Sequence, residues 1–337
     1  MVRPPILMCW PSRNRSASAS LMAVWASSSV VVVVFGTLMG SPVRCPALSR
    51  FSSGPQVAPY NRRAAMITLA ECTHLEAARL ARDPRSVVLL PLGAVEEHGP
   101  HLPLLVDWLG ADELARRIAP HLSRAGFQVV CAPSLPYGVS TLADDWAGTV
   151  SLSRQLVTRL IFEVVRALAR PGFRRFVLVN YQADPEHLRA MATARSRLVR
   201  RRDLRIAFAG FAPDRVANAA MVDPRVYRLL KSPRPEAEWH SGELETAMVL
   251  ATRPELVRRV LARTLPPAWV DFRTRLARGA RRFRQIDSRT QGYFGWPAAA
   301  RRETALRVMK LRGRLIAAHV IGALGGPRRG ARPRPRR

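Results

Sequence analysis

A chain of 337 residues with 48% apolar residues has room for one large domain or two small ones and enough apolar material for a full core. The formal charge of +30 invites a nucleic-acid reading, but only two of the 54 basic residues are lysine, Lys231 and Lys310, a bias that points to codon usage rather than to a binding surface. Seven arginines in residues 1–65 and six in residues 328–337 leave +17 on the stretch between; with no aromatic residues interleaved in the basic tail, no nucleic-acid partner is expected.

Residues 1–65 contain no acid, and between Arg15 and Arg44 they carry no charge at all. The run Val30-Val31-Val32-Val33-Val34-Phe35 has basic residues before it. Residues 17–43 therefore read either as a signal or single membrane anchor, with export or membrane contact, or as part of an extension ahead of a start at Met66. Residues 66–326 form the folded domain. Residues 327–337, rich in Arg and Pro, are expected to be a disordered tail. Cys9, Cys45, Cys72 and Cys131 show no CxxC spacing, so neither a disulfide framework nor a thiolate zinc site is expected.

Ser86-Val87-Val88-Leu89-Leu90-Pro91-Leu92 reads as a buried strand. Directly after it, Glu96, Glu97, His98, His101 and Asp107 place five groups that bind metal or move protons within twelve residues. Carboxylates and imidazoles together suit a catalytic Zn²⁺, Mn²⁺ or Fe²⁺ site. Glu96 and His98, two apart, face the same side of an extended segment. Gly99-Pro100 then turns the chain so that His101 and Asp107 come back over the strand end.

Downstream, residues 107–118 read as a helix and 127–132 as a short strand. Residues 152–168 read as an amphipathic helix with Leu152, Leu156, Leu160, Val164 and Leu168 as its apolar row. Residues 176–179 are a buried strand, Pro185 opens a helix running to about residue 200, and 206–211 is another strand. Residues 242–252 read as a helix with Ser241 as N-cap, and 298–324 as a long terminal helix. Strands alternating with helices predict α/β architecture, a three-layer α/β/α fold with a mostly parallel sheet. A cluster following a parallel strand lies where open α/β sheets hold their sites.

Residues 88–107 resemble the signature of the creatininase (creatinine amidohydrolase) family, P-x-G-S-x-E-Q-H-G-P-H-L-P-L-x-T-D. Pro91, Gly93, Glu96, His98, Gly99, Pro100, His101, Leu102, Pro103, Leu104 and Asp107 match; Ala94, Glu97 and Val106 depart. The resemblance extends over about residues 70–320 and implies a creatininase-like fold, a homo-oligomer, cytoplasmic location and two divalent metal ions, Zn²⁺ first, with Mn²⁺ or Fe²⁺ as alternatives. The family includes the peptide-trimming protein of mycofactocin synthesis.

By resemblance, Asp107 bridges the two metals, Glu96 binds one with Gln182 as third ligand, and His98 binds the other with Glu245 or Asp184. Gln182 stands where the family's N-G-H-G-G-N loop carries a histidine; Asn180 is kept and Asp184 is new. His240-Ser241-Gly242-Glu243-Leu244-Glu245-Thr246-Ala247 resembles the H-A-G-x-x-E-T-S segment, which makes His240 a proton carrier, with Glu97 as a second catalytic candidate. Pro136-Tyr137-Gly138-Val139-Ser140 and Trp146-Ala147-Gly148-Thr149-Val150-Ser151 match two further segments, with Ala143 where most members carry a histidine. His187 is expected on the surface. The implied reaction is metal-dependent hydrolysis of a non-standard C–N bond in a small-molecule amide or a peptide: a cyclic amide, a formamide or a peptide end. The alternative is a catalytically impaired homologue kept for binding or assembly.

Overall fold

The computed structural model describes residues 66–200 and 203–326, and the backbone of 6–8, 20–27 and 30–37. The chain divides into two units, residues 1–60 and 61–337. In the first, β1 (Ile6–Met8), β2 (Ser20–Ser27) and β3 (Val30–Thr37) form an antiparallel sheet in that order. The rest of the segment read as anchor or extension, and the tail from residue 327, lie outside the described residues. Among the described residues no helix is long and apolar enough to cross a membrane.

The second unit follows the order β4 (Ile67–Thr68), α1 (His74–Arg82), β5 (Ser86–Leu92), α2 (Val106–Arg124), β6 (Gln128–Cys131), α3 (Arg154–Ala169), β7 (Arg175–Asn180), α4 (Pro185–Val199), β8 (Arg205–Gly210). Short helices α5 (Arg215–Ala219) and α6 (Pro224–Tyr227) precede α7 (Glu243–Thr252). They are followed by α8 (Arg259–Thr264), α9 (Phe272–Ala277), α10 (Phe283–Ile286) and the long α11 (Arg302–Leu324). The sheet is wholly parallel, in the order β4-β6-β5-β7-β8.

All seven residues of β5 are buried, because helices cover both of its faces. Its alternation splits the core: Val87 and Leu89 join α2, α7 and α11 on one side, while Val88, Leu90 and Leu92 join α3 and α4 on the other. This is the expected three-layer α/β/α arrangement. Each fully buried Leu, Ile or Phe stabilises it by roughly 1.5–3 kcal/mol.

Chain connectivity places the site. From β5 the chain crosses to β6 on one side, then returns through α3 to β7 on the other. The gap beyond the carboxyl end of β5 is therefore the switch point, where nothing from the sheet's own connections fills the crevice. Gly93 makes the handover possible. A Cβ there would stand 2.5 Å from the Trp108 backbone, so only glycine lets α2 begin directly on the strand end.

Three local expectations are corrected. Helix α2 runs to Arg124, past Pro120. Pro120 is only half-buried, one turn on from the exposed Arg116, whose freed carbonyl water can meet. In α3 the buried row is Val157, Ile161, Val165 and Ala169, and Leu156 is 51% exposed. The buried row lies one residue on, turned about 100° around the helix, and faces the sheet while Leu152, Val164 and Leu168 pack at its edge. His187 is buried, not on the surface. It lies in the first turn of α4, and its Nδ1 accepts the Val139 N–H at 3.2 Å. Gly138 has no side chain to hold the two apart; a Cβ there would sit 2.7 Å from His187 Nδ1.

Burial lowers the His187 pKa from 6.5 to about 4. The unfolded chain therefore takes up this proton at a higher pH than the folded one. Stability falls as pH drops from 6.5 and levels off below about 4, a loss of up to about 3 kcal/mol. His187→Gln is expected to flatten this dependence, measured by urea unfolding at pH 4, 5 and 6.5. Glu96 shifts in the opposite sense, so the difference between wild type and variant isolates the histidine.

Candidate metal centre

Glu96, Glu97 and His98 follow β5 as extended chain. Gly99, with φ of +69°, turns it, and α2 returns with Asp107 in its first turn, where the helix dipole favours an anion. The strand–loop–helix handover therefore delivers Glu96, Glu97, His98 and Asp107 to one crevice, all of them buried. His101 is directed elsewhere. Its Nε2 pairs with Thr246 Oγ1 at 2.7 Å and ties the loop to α7.

His98 carries the clearest chemical statement. Its Nδ1 lies 3.1 Å from the Glu96 carbonyl, which can only accept, so the ring proton sits on Nδ1 and Nε2 presents a lone pair. Nε2 has no hydrogen-bond partner and faces two carboxylates, Asp107 Oδ1 at 3.8 Å and Glu245 Oε2 at 3.9 Å. Asp107 Oδ2 is likewise buried without a partner. A lone pair converging on two carboxylates is repulsive unless a cation stands among them, so this donor set fits a divalent metal. Burial, with the neighbouring His240 second, keeps His98 well below its usual pKa and in the neutral, ligating form.

Burial also raises the carboxylate pKa values. Asp107 is pushed well up by burial and then by Glu96 and Glu245; Glu245 rises by burial; Glu96 rises by burial to about 7. A bound dication reverses this pattern by favouring the ionised forms. Two groups have ligand atoms within 4.8 Å of one another: His98, Asp107 and Glu245, and Glu96, His98 and His240.

His240 sits between the aromatic wall and the acids. Its ring lies 4.3 Å from that of His98 and 4.5 Å from Phe283. Backbone hydrogen bonds to and from Phe294, at 3.1 and 2.7 Å, fix its position. Nε2 donates to the Glu97 carbonyl at 3.0 Å and lies 3.3 Å from Glu97 Oε1, an ion-pair distance that is not an aligned hydrogen bond. Burial opposes its charge, but Glu97, Glu245 and Glu96 outweigh burial and push it up to about 10. Glu97 is held in turn by the Gly99 N–H at 2.9 Å.

The remaining expected ligands are placed differently. Gln182 follows β7 and reaches Glu96, to which its Nε2 donates; the same group donates to Ser140 Oγ at 3.0 Å, while Oε1 accepts the Asp184 N–H at 3.0 Å. It thus offers a donor to the crevice. Turning its oxygen inward breaks the bond to Asp184. Asp184 is buried outside both converging groups. Oδ1 caps α4 by accepting the Glu186 and His187 N–H groups, and Oδ2 accepts from Thr141 Oγ1 and Leu142 N–H. With both oxygens engaged it is a helix cap, not a ligand in this arrangement. Asp184→Asn is therefore expected to leave metal content unchanged by elemental analysis while costing about 1 kcal/mol in unfolding free energy.

Ser241 is not the N-cap of α7. Gly242 is, without a side-chain cap. Two carboxylates do the work instead: Glu238, from before the helix, accepts the Glu243 N–H at Oε2, and Glu245, in the first turn, reaches back to accept the Ser241 N–H, each at 2.6 Å. Ser241 is held at φ of +53°, the only described non-glycine residue with positive φ, which aims that N–H at Glu245. Ala143, where a histidine was expected by resemblance, packs with Phe272, Phe283, Ile286 and Phe294 as an apolar wall. Ser140, Phe283, Glu238 and Thr149, whose Oγ1 accepts the Glu97 N–H at 3.0 Å, were not anticipated as site residues. Ser140 and Thr149 lie in segments already singled out; nothing local marks Phe283, which arrives from a distant turn.

Residues 70–320 match the family model described as creatinine amidohydrolase. The creatinine amidohydrolase of Pseudomonas putida is 31% identical over 194 residues, 54% of this chain and 70% of that one. A mycofactocin precursor peptide peptidase of Mycobacterium tuberculosis is 33% identical over 126 residues, 36% of this chain and about half, 49%, of that protein. Among solved structures, a creatinine amidohydrolase superposes with a TM-score of 0.60 at 24% identity, over 77% of this chain and 98% of that one. A mutant creatininase of the Zn–Zn type gives 0.58 at 25% identity, over 77% and 98%.

Proposed function

The chain belongs to the creatininase family, and from that premise we propose that it is a metal-dependent amidohydrolase acting on a non-standard C–N bond, with two divalent ions in the crevice beyond β5. The observation that carries this reading is the buried His98 Nε2 lone pair set against Asp107 and Glu245 with no partner of its own. His98, Asp107 and Glu245 would hold one ion. Glu96 would hold the other with Asp107 between the two, and Gln182 beside it.

Bound there, a metal pair supplies a nucleophilic water at neutral pH and polarises a carbonyl oxygen. The protein does the rest. Glu97 keeps the proton on His240 Nε2, and His240 passes a proton to the departing nitrogen as the C–N bond breaks. Phe283, Phe272 and Phe294 close one side of the crevice and limit water around that imidazole. The relatives named above act on creatinine or on a precursor peptide. The proposed substrate class accordingly spans cyclic amides, formamides and peptide ends.

Protein loaded with Zn²⁺ or Mn²⁺ and desalted should carry close to two ions per chain by elemental analysis. It should hydrolyse the C–N bond of at least one member of a panel covering these three classes. A stoichiometry near zero overturns the proposal. One ion per chain assigns the loss to the position beside Gln182, whose amide group already donates to one Glu96 oxygen.

A further inference from the structure

On the face of the sheet opposite α3 and α4, helices α2 and α11 pack together, and a groove of about 880 Å³ runs along them. Gly313 sets their closeness: a Cβ there would stand 2.8 Å from Arg117 Cβ. On α11, Arg307, Lys310 and Arg314 fall at i, i+3 and i+7, one face of the helix, and all three are exposed. On α2, Arg117, His121 and Arg124 fall at i, i+4 and i+7, again one face, and line the same groove. Arg116 adds a further cation.

One carboxylate lines this groove, Glu113, and it is taken by Arg117 at 2.6 Å and Arg116 at 3.4 Å. Some arginines elsewhere on the domain stand beside acids, as Arg85 does with Asp83, Arg154 with Glu186, Arg166 with Glu163 and Arg225 with Asp223. Here Arg307, Lys310 and Arg314 have none among the described residues. Six permanent cations against one anion leave about +5 in one concave surface, a self-repulsion that a bound polyanion relieves. His121 feels the same field. Burial first, then Arg124 and Arg314, lower its pKa.

We propose that the α2–α11 groove binds a linear oligophosphate, using paired rows of arginine and lysine to follow successive phosphate groups. Three features select this ligand. The two rows each extend seven residues, about 10 Å along a helix, the length of a few phosphates rather than of one. Leu229, Leu311 and Pro120 supply the only apolar lining, and no Phe, Tyr or Trp lines the groove to give a base a broad stacking face, so a phosphate chain fits better than a nucleotide or single-stranded nucleic acid. The surface is concave, which suits a free chain better than the plane of a membrane.

Full-length protein titrated with sodium tripolyphosphate in 50 mM salt should show one saturable site by calorimetry, weakening severalfold at 200 mM. The pair Lys310→Glu and Arg314→Glu should weaken it at least tenfold. Reversal of Arg197 and Arg200, exposed on the opposite face, should leave it within twofold. Should the reversed pair melt early, Lys310→Gln with Arg314→Gln gives the same reading with a smaller, at least threefold, loss. Equal losses in both pairs would assign binding to general arginine content and overturn the proposal. So would the absence of tripolyphosphate binding, or binding only to phosphatidylglycerol vesicles.

Discussion

Asp107→Ala is expected to remove both metal ions and to lower hydrolysis by about a thousandfold or more, because it deletes the carboxylate proposed to stand between them. The structure gives a physical reason for the size of the effect. Asp107 is 3% exposed, one of its oxygens has no partner, and the other faces the His98 lone pair. Without it, His98 and Glu245 retain one carboxylate between them, too little charge to offset the dehydration of a dication. The fold should survive. Asp107 is in the first turn of α2, and removing an unpaired buried carboxylate relieves repulsion from Glu96 and Glu245. The expected signature is thus specific: a melting temperature equal to or above that of the metal-free wild type, with metal content near zero. A variant that keeps two ions per chain would transfer the bridging role to another group.

His240→Ala is expected to lower kcat by 10²–10⁴ while both ions remain bound. The distinction matters because His240 stands near enough to Glu96 and His98 to be counted with either role. Its Nε2 is directed to Glu97, by the carbonyl at 3.0 Å and the carboxylate at 3.3 Å, as a proton carrier requires. Glu97→Gln should therefore reproduce part of the loss and lower the alkaline limb of the pH–rate profile, since the imidazolium would lose its strongest support. Loss of one ion in His240→Ala, by elemental analysis, would make it a ligand.

The parts of the site that were legible in the sequence are those carried by one short segment. Glu96, His98 and Asp107 lie within twelve residues, and the strand, turn and helix that aim them follow from the apolar run, Gly99-Pro100 and the periodicity after it. Glu245 and His240 were legible through a second compact motif. The hydrogen-bonding roles of Asp184 and Gln182 were not legible, because a carboxylate or carboxamide after a strand looks the same whether it ligates, caps or donates. The difference lies in Thr141, Leu142 and Ser140, more than forty residues away in sequence. His187 was misread for a related reason: its burial depends on Gly138, across the loop, and not on the pattern of its own helix.

The hydrogen bonds that close the crevice span long stretches of chain, 86 residues between Glu96 and Gln182 and 143 between Glu97 and His240. Closing loops of that length precedes any reward from the contacts they bring, so the crevice is among the last features to form during folding. The final piece is later still. Phe294 clamps His240 through two backbone bonds, so a chain growing from its N-terminus lacks an ordered imidazole until that segment has been made. The proposed metal set is split in the same way: Glu96, His98 and Asp107 are near neighbours in the chain, but Glu245 joins them only once α7 has docked. A metal bound as proposed would thus find its full ligand set only in the folded domain, and a prematurely ended chain carries the acidic loop without its partners.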